Sequence, residues 1–345
     1  MKEKARIGLD QSSRKSSVLL LNNRYQIISA LGSGGFGDTY LARDTYLPSN
    51  SKCVIKRLRP TTQDAEIDRV IHQSFATEAR ILEKIGRECD RVPKLYAYFS
   101  ENKQFFLAQE YIQGYTLEKL INSIGVTSEI QVKNILLNLL QTLQYLHSNE
   151  IIHRDIKPEN IILRYPDLIP ILIDFGSIKE TMRSSGLALG TVVLGTPGYM
   201  PPEQQQGMPQ FSSDIYSLGM TGIFLLTGKN PLELERDATG VIDWSQYGRI
   251  SPSMLEVLQT ATHPNLKIRY GSVEEMILAI HQHEKNQKTT LAIKLPDSEL
   301  KKDEINPLIS IVLIFSILLT VAGLFSQDRT NRPVNEKANS NSILK

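Results

Sequence analysis

His153-Arg154-Asp155-Ile156-Lys157-Pro158-Glu159-Asn160, followed further along by Asp174-Phe175-Gly176, is the stretch on which the reading of this chain turns. Taken singly, each piece has an ordinary explanation: an aspartate before Phe-Gly fits a turn, and Asp155 fits a loop salt bridge. Upstream, Val132, Ile135, Leu136, Leu139, Leu143 and Leu146 recur at helical spacing, and downstream an apolar run from Ile215 to Leu226 is stopped by Gly228. The stretch therefore lies within a mainly helical part, residues 113–283. Before it, residues 25–110 alternate strand-like runs (Tyr25–Leu31, Thr39–Arg43, Cys53–Leu58, Leu95–Phe99, Gln104–Glu110) with one helical stretch near 64–85. A small sheet with one helix, then a larger helical part, is an α+β arrangement.

The sheet part carries two further features. Gly32-Ser33-Gly34-Gly35-Phe36-Gly37 matches GxGxxG, a loop whose backbone amides can approach phosphates because no Cβ stands in the way. Alone it is a weak signal. A dinucleotide-binding fold needs a helix after the last glycine, whereas Thr39-Tyr40-Leu41-Ala42 reads as a second strand, so the loop caps a hairpin. No GxxxxGK[ST] run occurs. The second feature is the apolar strand Cys53-Val54-Ile55 ending in Lys56; a lone lysine there is ordinarily solvated. Glu78, however, shares the apolar face of its helix with Ile71, Phe75 and Leu82 and needs a partner, for which Lys56 is the candidate.

With these residues in place the chain resembles the protein kinase family. The opening stretch matches the catalytic loop HRDxKxxN and Asp174-Phe175-Gly176 the DFG motif, a highly specific combination in this order. The resemblance covers residues 25–283 and implies a bilobal fold: a β-sheet lobe with one αC helix, over 24–112, and a helical lobe, over 113–283. It also implies roles. Lys56 would meet the α- and β-phosphates of ATP with Glu78 holding it, while Asn160 and Asp174 would bind Mg²⁺, with Mn²⁺ as an alternative; carboxylate and amide oxygens suit such a hard cation. Asp155 would accept the substrate hydroxyl proton and Lys157 steady the transferring phosphoryl, the latter being the serine/threonine-kinase pattern. Leu31, the glycine loop from Gly32 to Gly37, Thr39, Val54 and Ile162 would enclose the nucleotide, and the backbone of Gln109-Glu110-Tyr111-Ile112 would meet adenine.

Further along, Gly195-Thr196-Pro197-Gly198-Tyr199-Met200-Pro201-Pro202-Glu203 resembles the end of a protein-kinase activation segment. Phe175, Gly176, Glu203, Asp214 and Arg269 take scaffold roles by the same resemblance, with Arg269 paired to Glu203. Arg154 would bind a phosphate on the activation segment, where Ser177, Thr181, Ser184, Ser185 and Thr191 are available and Thr191 leads. The phrases Gly-Tyr-Met-Pro-Pro-Glu-Gln and Leu-Thr-Gly-Lys-Asn-Pro resemble bacterial, including cyanobacterial, kinases. Three departures stand out: Thr39 for the usual valine, Val54 for the usual alanine, and little helical periodicity over 232–249, where the family has a helix. Two other readings stay open, a nucleotide-binding pseudokinase and a small-molecule kinase; the retained charged residues argue against the first and the activation segment against the second.

Composition bounds the rest. A formal charge of +2 over 345 residues gives no reason to expect nucleic acid. Cys53 and Cys89 lie far apart, without metal or disulfide spacing. The basic, serine-containing segment 1–23 has only the short apolar run Val18 to Leu21, too short for a signal peptide. From Leu308 to Phe325, by contrast, no residue is charged and thirteen of eighteen are Leu, Ile, Val or Phe. Such a helix spans about 27 Å, close to the bilayer core of about 30 Å. The expectation is a single-pass membrane protein: linker 284–306, helix 307–325 in the lipid bilayer, polar tail 326–345, and a cytoplasmic kinase domain. Lys301 and Lys302 on one side balance Arg329 and Arg332 on the other, so orientation rests on where ATP is found. Expected partners are ATP, protein substrates with Ser or Thr, and a second copy for trans-autophosphorylation.

Overall fold

The computed structural model describes residues 20–34, 37–58, 65–175, 179–180, 195–247 and 250–287. The chain divides into two units, residues 1–281 and 282–345, and only residues 282–287 of the second are described. In the first unit, strands β1 (Leu20–Leu21), β2 (Tyr25–Gly34), β3 (Gly37–Asp44) and β4 (Lys52–Leu58) precede helix α1 (Ala65–Ile85), and β5 (Leu95–Glu101) and β6 (Gln104–Glu110) follow it. They form an antiparallel sheet of order β1-β2-β3-β4-β6-β5. The sheet starts before the expected boundary at residue 24, because Leu20 and Leu21 pair with Gln26 and Tyr25.

Side chains alternate across a strand, so the sheet has two faces with different tasks. One face buries Tyr25, Ala42, Cys53, Ile55, Phe106 and Ala108, backed by Leu21, Tyr40, Ala97 and Phe99. Phe99 stacks on both Tyr25 and Phe106 at 5.8 and 5.3 Å, pairs of a kind that add about 0.5–1.5 kcal/mol beyond area burial. The residues between them, Thr39 opposite Lys56, Leu41 opposite Val54, and Leu107 opposite Lys56, share the other face.

The larger lobe contains β7 (Gly114–Thr116), α2 (Leu117–Ile124), α3 (Glu129–Ser148), β8 (Ile151–Ile152), the hairpin β9 (Ile161–Arg164) and β10 (Pro170–Leu172), and β11 (Lys179–Glu180). Then come α4 (Pro202–Gln205), α5 (Phe211–Thr227), α6 (Pro252–Ala261) and α7 (Val273–Gln287). Ser128 and Gln131 close a reciprocal capping box at the start of α3, whose expected apolar stripe is buried from Val132 to Leu146. Every residue of α5 from Ser212 to Thr227 is buried, as a helix apolar on all sides must be. It stops at Gly228, whose φ of 66° is the left-handed conformation that only glycine adopts without strain.

Across 232–249 the described residues hold no α-helix. Two 3₁₀ turns, Pro231–Glu233 and Ser245–Tyr247, flank a bridge between Arg236 and Ile242, and Trp244 is fully buried. A loop anchored by one large aromatic shows no period, which is why the sequence there carries no helical signal. Among the described residues no helix is long and apolar enough to cross a membrane, and the segment 307–325 lies outside them.

Candidate active site

Strand β4 aims Lys56 away from the apolar face of the sheet, toward α1 and the larger lobe. Its Nζ donates to Glu78 Oε1 at 2.5 Å and to Asp174 Oδ1 at 2.9 Å, so one ammonium joins sheet, helix and the second lobe. Burial works against the Lys56 charge, but Asp174 and Glu78 outweigh it and hold the ammonium above the ordinary lysine range. Burial pushes Glu78 up; Lys56 and a hydrogen bond from the Phe175 backbone oppose it. Glu78 thereby ties the helix to Lys56 and to the Asp174-Phe175 turn at once.

The residues around Asp155 are set by a second hub. Asp214, fully buried at the start of α5, accepts from the backbone N–H of His153 through Oδ2 and of Arg154 through Oδ1, each at 2.9 Å, and meets His147 Nε2 at 2.9 Å. Arg154 sits at φ 71° and Asp174 at φ 66°, both in the left-handed region that costs a non-glycine residue free energy. The Asp155 N–H donates to His153 Nδ1 at 3.3 Å, and the His153 ring meets Phe175 edge-on at 5.0 Å. Burial pushes the imidazole below the ordinary histidine range. The scaffold pair is equally specific: Arg269 Nη1 and Nη2 donate to Glu203 Oε1 and Oε2 at 2.6 and 3.1 Å, and Ser213 donates to Oε1 at 2.7 Å.

Asp155 has three donors on its carboxylate or within reach of it. Thr196 Oγ1 donates to Oδ1 at 2.7 Å, Asn160 Nδ2 to Oδ2 at 2.9 Å, and Lys157 Nζ lies 3.2 Å from Oδ2. Lys157 also donates to Thr196 Oγ1 at 2.6 Å, closing a ring of Asp155, Thr196 and Lys157. In the sequence Thr196 reads only as part of the end of the activation segment; nothing local marks it as a partner of a loop 41 residues earlier. The Asn160 amide nitrogen is turned to Asp155 and also reaches its carbonyl at 2.9 Å. The oxygen side of Asn160, with the half-exposed Asp174 carboxylate, gives a hard-oxygen donor set of the kind Mg²⁺ takes when phosphates complete its shell. Among the described residues no cluster of three or more His, Cys, Asp or Glu could hold a metal alone.

Around this centre, Val54 and Ile162 are half-buried, Ile112 is buried and Leu31 is about half exposed. Thr39 pairs with both Gly32 and Lys56, placing the hairpin of the glycine loop beside the lysine. A Cβ on Gly37 would lie 2.1 Å from the Arg57 carbonyl oxygen, so β3 and β4 approach as they do only because that residue has no side chain. Glu110 closes β6 and donates its N–H to the Lys94 carbonyl. Arg154 is buried, with an Nε that has no hydrogen-bond partner among the described residues, and burial lowers its pKa against the pull of Asp214. Gly35, Phe36, Gly176 and Thr191 lie outside the described residues.

Comparison with known proteins agrees with this geometry. The protein kinase domain family matches residues 25–299. Serine/threonine-protein kinase PknA of Nostoc sp. is 46% identical over 285 residues, 81% of this chain and 50% of that protein. Serine/threonine-protein kinases C and D of Synechocystis sp. are 49% and 48% identical, over 74% and 75% of this chain and 49% and 52% of theirs. The chain thus spans about half the length of these curated relatives. A family match over most of the chain, relatives at this identity, and a lysine, glutamate and aspartate joined across two lobes lead to one assignment: the chain belongs to the protein kinase domain family.

Proposed function

We propose that this chain is a serine/threonine protein kinase, transferring the γ-phosphoryl of ATP to Ser or Thr hydroxyls of proteins, itself included. The observation that carries the reading is a pair of networks, Lys56 with Glu78 and Asp174 and Asp155 with Thr196 and Lys157, joined through Asn160, which donates to Asp155 at 2.9 Å and accepts at its backbone carbonyl from the Ile173 N–H beside Asp174 at 2.8 Å. Lys56, fixed by its two carboxylates, presents a charge to the α- and β-phosphates. Asp155, oriented by Thr196 and Asn160, takes the proton of the acceptor hydroxyl, and Lys157 offsets negative charge on the transferring group. Asp174 and Asn160 would hold Mg²⁺, which would supply positive charge against the phosphates. The test is incubation of the full-length protein with labelled ATP, Mg²⁺ and a generic protein substrate. Phosphoserine or phosphothreonine supports the reading; label in a small metabolite, or no transfer, removes it.

Regulation and location belong to the same proposal. The buried Arg154 is a guanidinium in search of an anion, and Thr191 is the leading phosphate acceptor on the activation segment. Thr191→Ala should lower activity several-fold and remove a phosphate seen by mass spectrometry; full activity with no phosphate at 191 sinks the idea. The apolar run within 307–325 supports a single-pass anchor that leaves the catalytic unit in the cytoplasm, where ATP is. Pairing of two such chains in one bilayer would favour trans-autophosphorylation.

A further inference from the structure

Asp155 hangs from the peptide plane it shares with Arg154, and the two polar groups of that plane are held unequally. The N–H, which belongs to Asp155, reaches His153 Nδ1 only at 3.3 Å, whereas the carbonyl, which belongs to Arg154, accepts from Gln204 Nε2 at 2.6 Å. Among the described residues the Arg154 carbonyl takes no other hydrogen bond. The grip matters because Arg154 sits at φ 71°, a conformation that a non-glycine residue leaves unless its surroundings hold it. Asp214 fixes the preceding plane through the Arg154 N–H, and Asn160 Nδ2 fixes the following one through the Asp155 carbonyl, each at 2.9 Å. Gln204 supplies the restraint between them.

The surroundings of Gln204 suit this task. It is fully buried on α4, and its own N–H donates to the Pro201 carbonyl at 3.1 Å. Glu203, the residue before it, is locked by Arg269 and Ser213, so the short helix presents the amide from a fixed base. The chain also makes room for the bond. A Cβ on Gly195 would lie 2.6 Å from Gln204 Nε2 and 3.1 Å from the Arg154 carbonyl oxygen, so the absence of a side chain there lets the two groups meet. Thr196, next along, donates to the Asp155 carboxylate. Residues 195–204 therefore hold Asp155 twice, its backbone through Gln204 and its side chain through Thr196.

We propose that Gln204 is a positioning residue for phosphoryl transfer, its amide fixing the Arg154–Asp155 peptide plane and so the aim of the Asp155 carboxylate. The proposal deepens the kinase reading and rests on it for its rate measurements, while its backbone measurement stands apart. The variants, each in the full-length protein, are Gln204→Met, which keeps the length and removes the donor, and Gln204→Ala, which leaves space where methionine would crowd the site. In both, kcat toward a Ser-containing peptide should fall about five- to fiftyfold with the KM for ATP kept within about twofold, because a buried acceptor loses its donor while the nucleotide contacts stay. Backbone hydrogen exchange read by mass spectrometry should be about fivefold or more faster in the fragment holding Arg154 and Asp155 and unchanged in α5, whose protection reports that the lobe is folded. If wild type transfers no phosphate but exchange still quickens in that fragment alone, the kinase reading falls and the lock stands. Unchanged kcat in an active protein, or unchanged exchange at Arg154 and Asp155, overturns the proposal. So does a KM for ATP that rises as kcat falls together with faster exchange in α5, since general loosening then explains the loss.

Discussion

At the scale of single residues, Thr196 is the most informative side chain that sequence reading left unassigned. Its hydroxyl accepts from Lys157 and donates to Asp155, so it sets the separation of the Asp155 carboxylate from the Lys157 ammonium. Thr196→Val removes hydrogen bonds to two charged groups, interactions worth about 1.5–3 kcal/mol each. The expected outcome is a kcat about ten- to a hundredfold lower, with Thr196→Ser close to wild type because the hydroxyl returns. A valine variant with unchanged kcat would show that the hydroxyl has no part in turnover. Lys56 and Glu78 were legible for the opposite reason: a carboxylate on an apolar helix face demands a cation, and the sequence offered one at a strand end.

At the scale of elements, the sheet depends on closures that span strands. Arg24 clamps Asp44 with Nε and Nη2 at 2.9 and 2.7 Å, joining the entry of β2 to the end of β3. Those hydrogen bonds hold the Asp44 carboxyl below the usual carboxylate range, with burial opposing. Because the folded value lies below the unfolded one, the clamp's stabilisation is present above about pH 4 and is lost as pH falls through the folded value. Asp44→Asn should therefore cost about 1.5–3 kcal/mol at neutral pH and flatten the acid limb of Tm against pH. Thermal unfolding from neutral pH downward checks this; parallel acid limbs in wild type and variant would contradict it. The main strands, α1 and α3 were readable from their periods, and α5 from the length of an apolar run stopped at Gly228. The two-residue β1 and the β9–β10 hairpin were not, because such short runs define no period and are fixed by partners elsewhere in the chain.

At the scale of the whole molecule, the catalytic unit closes before the apolar run. The described helices end with α7 at Gln287, and the family match ends at residue 299. Deleting residues 307–345 should release the protein from the membrane fraction while leaving phosphoryl transfer within about twofold, as expected when a domain holds its own core. Membrane-bound activity that persists without that segment would refute the anchor; loss of activity from correctly folded soluble protein would refute the independence of the unit. The two-lobed arrangement was legible from the change in periodicity near residue 112, whereas the meeting of the lobes was not. Lys56 and Asp174 stand 118 residues apart, and only the folded chain brings them to 2.9 Å.

As the proposed base for phosphoryl transfer to a protein hydroxyl, Asp155 is held by Thr196, Asn160 and Lys157. The most direct measurement is the rate of label transfer from ATP to protein Ser and Thr by full-length wild type and by Asp155→Asn, which keeps size and most hydrogen bonds. The expected outcome is phosphoserine or phosphothreonine from wild type and a kcat lower by about 10²- to 10⁴-fold in the variant, with ATP binding retained. Equal rates in the two proteins, or no transfer by either, would contradict it.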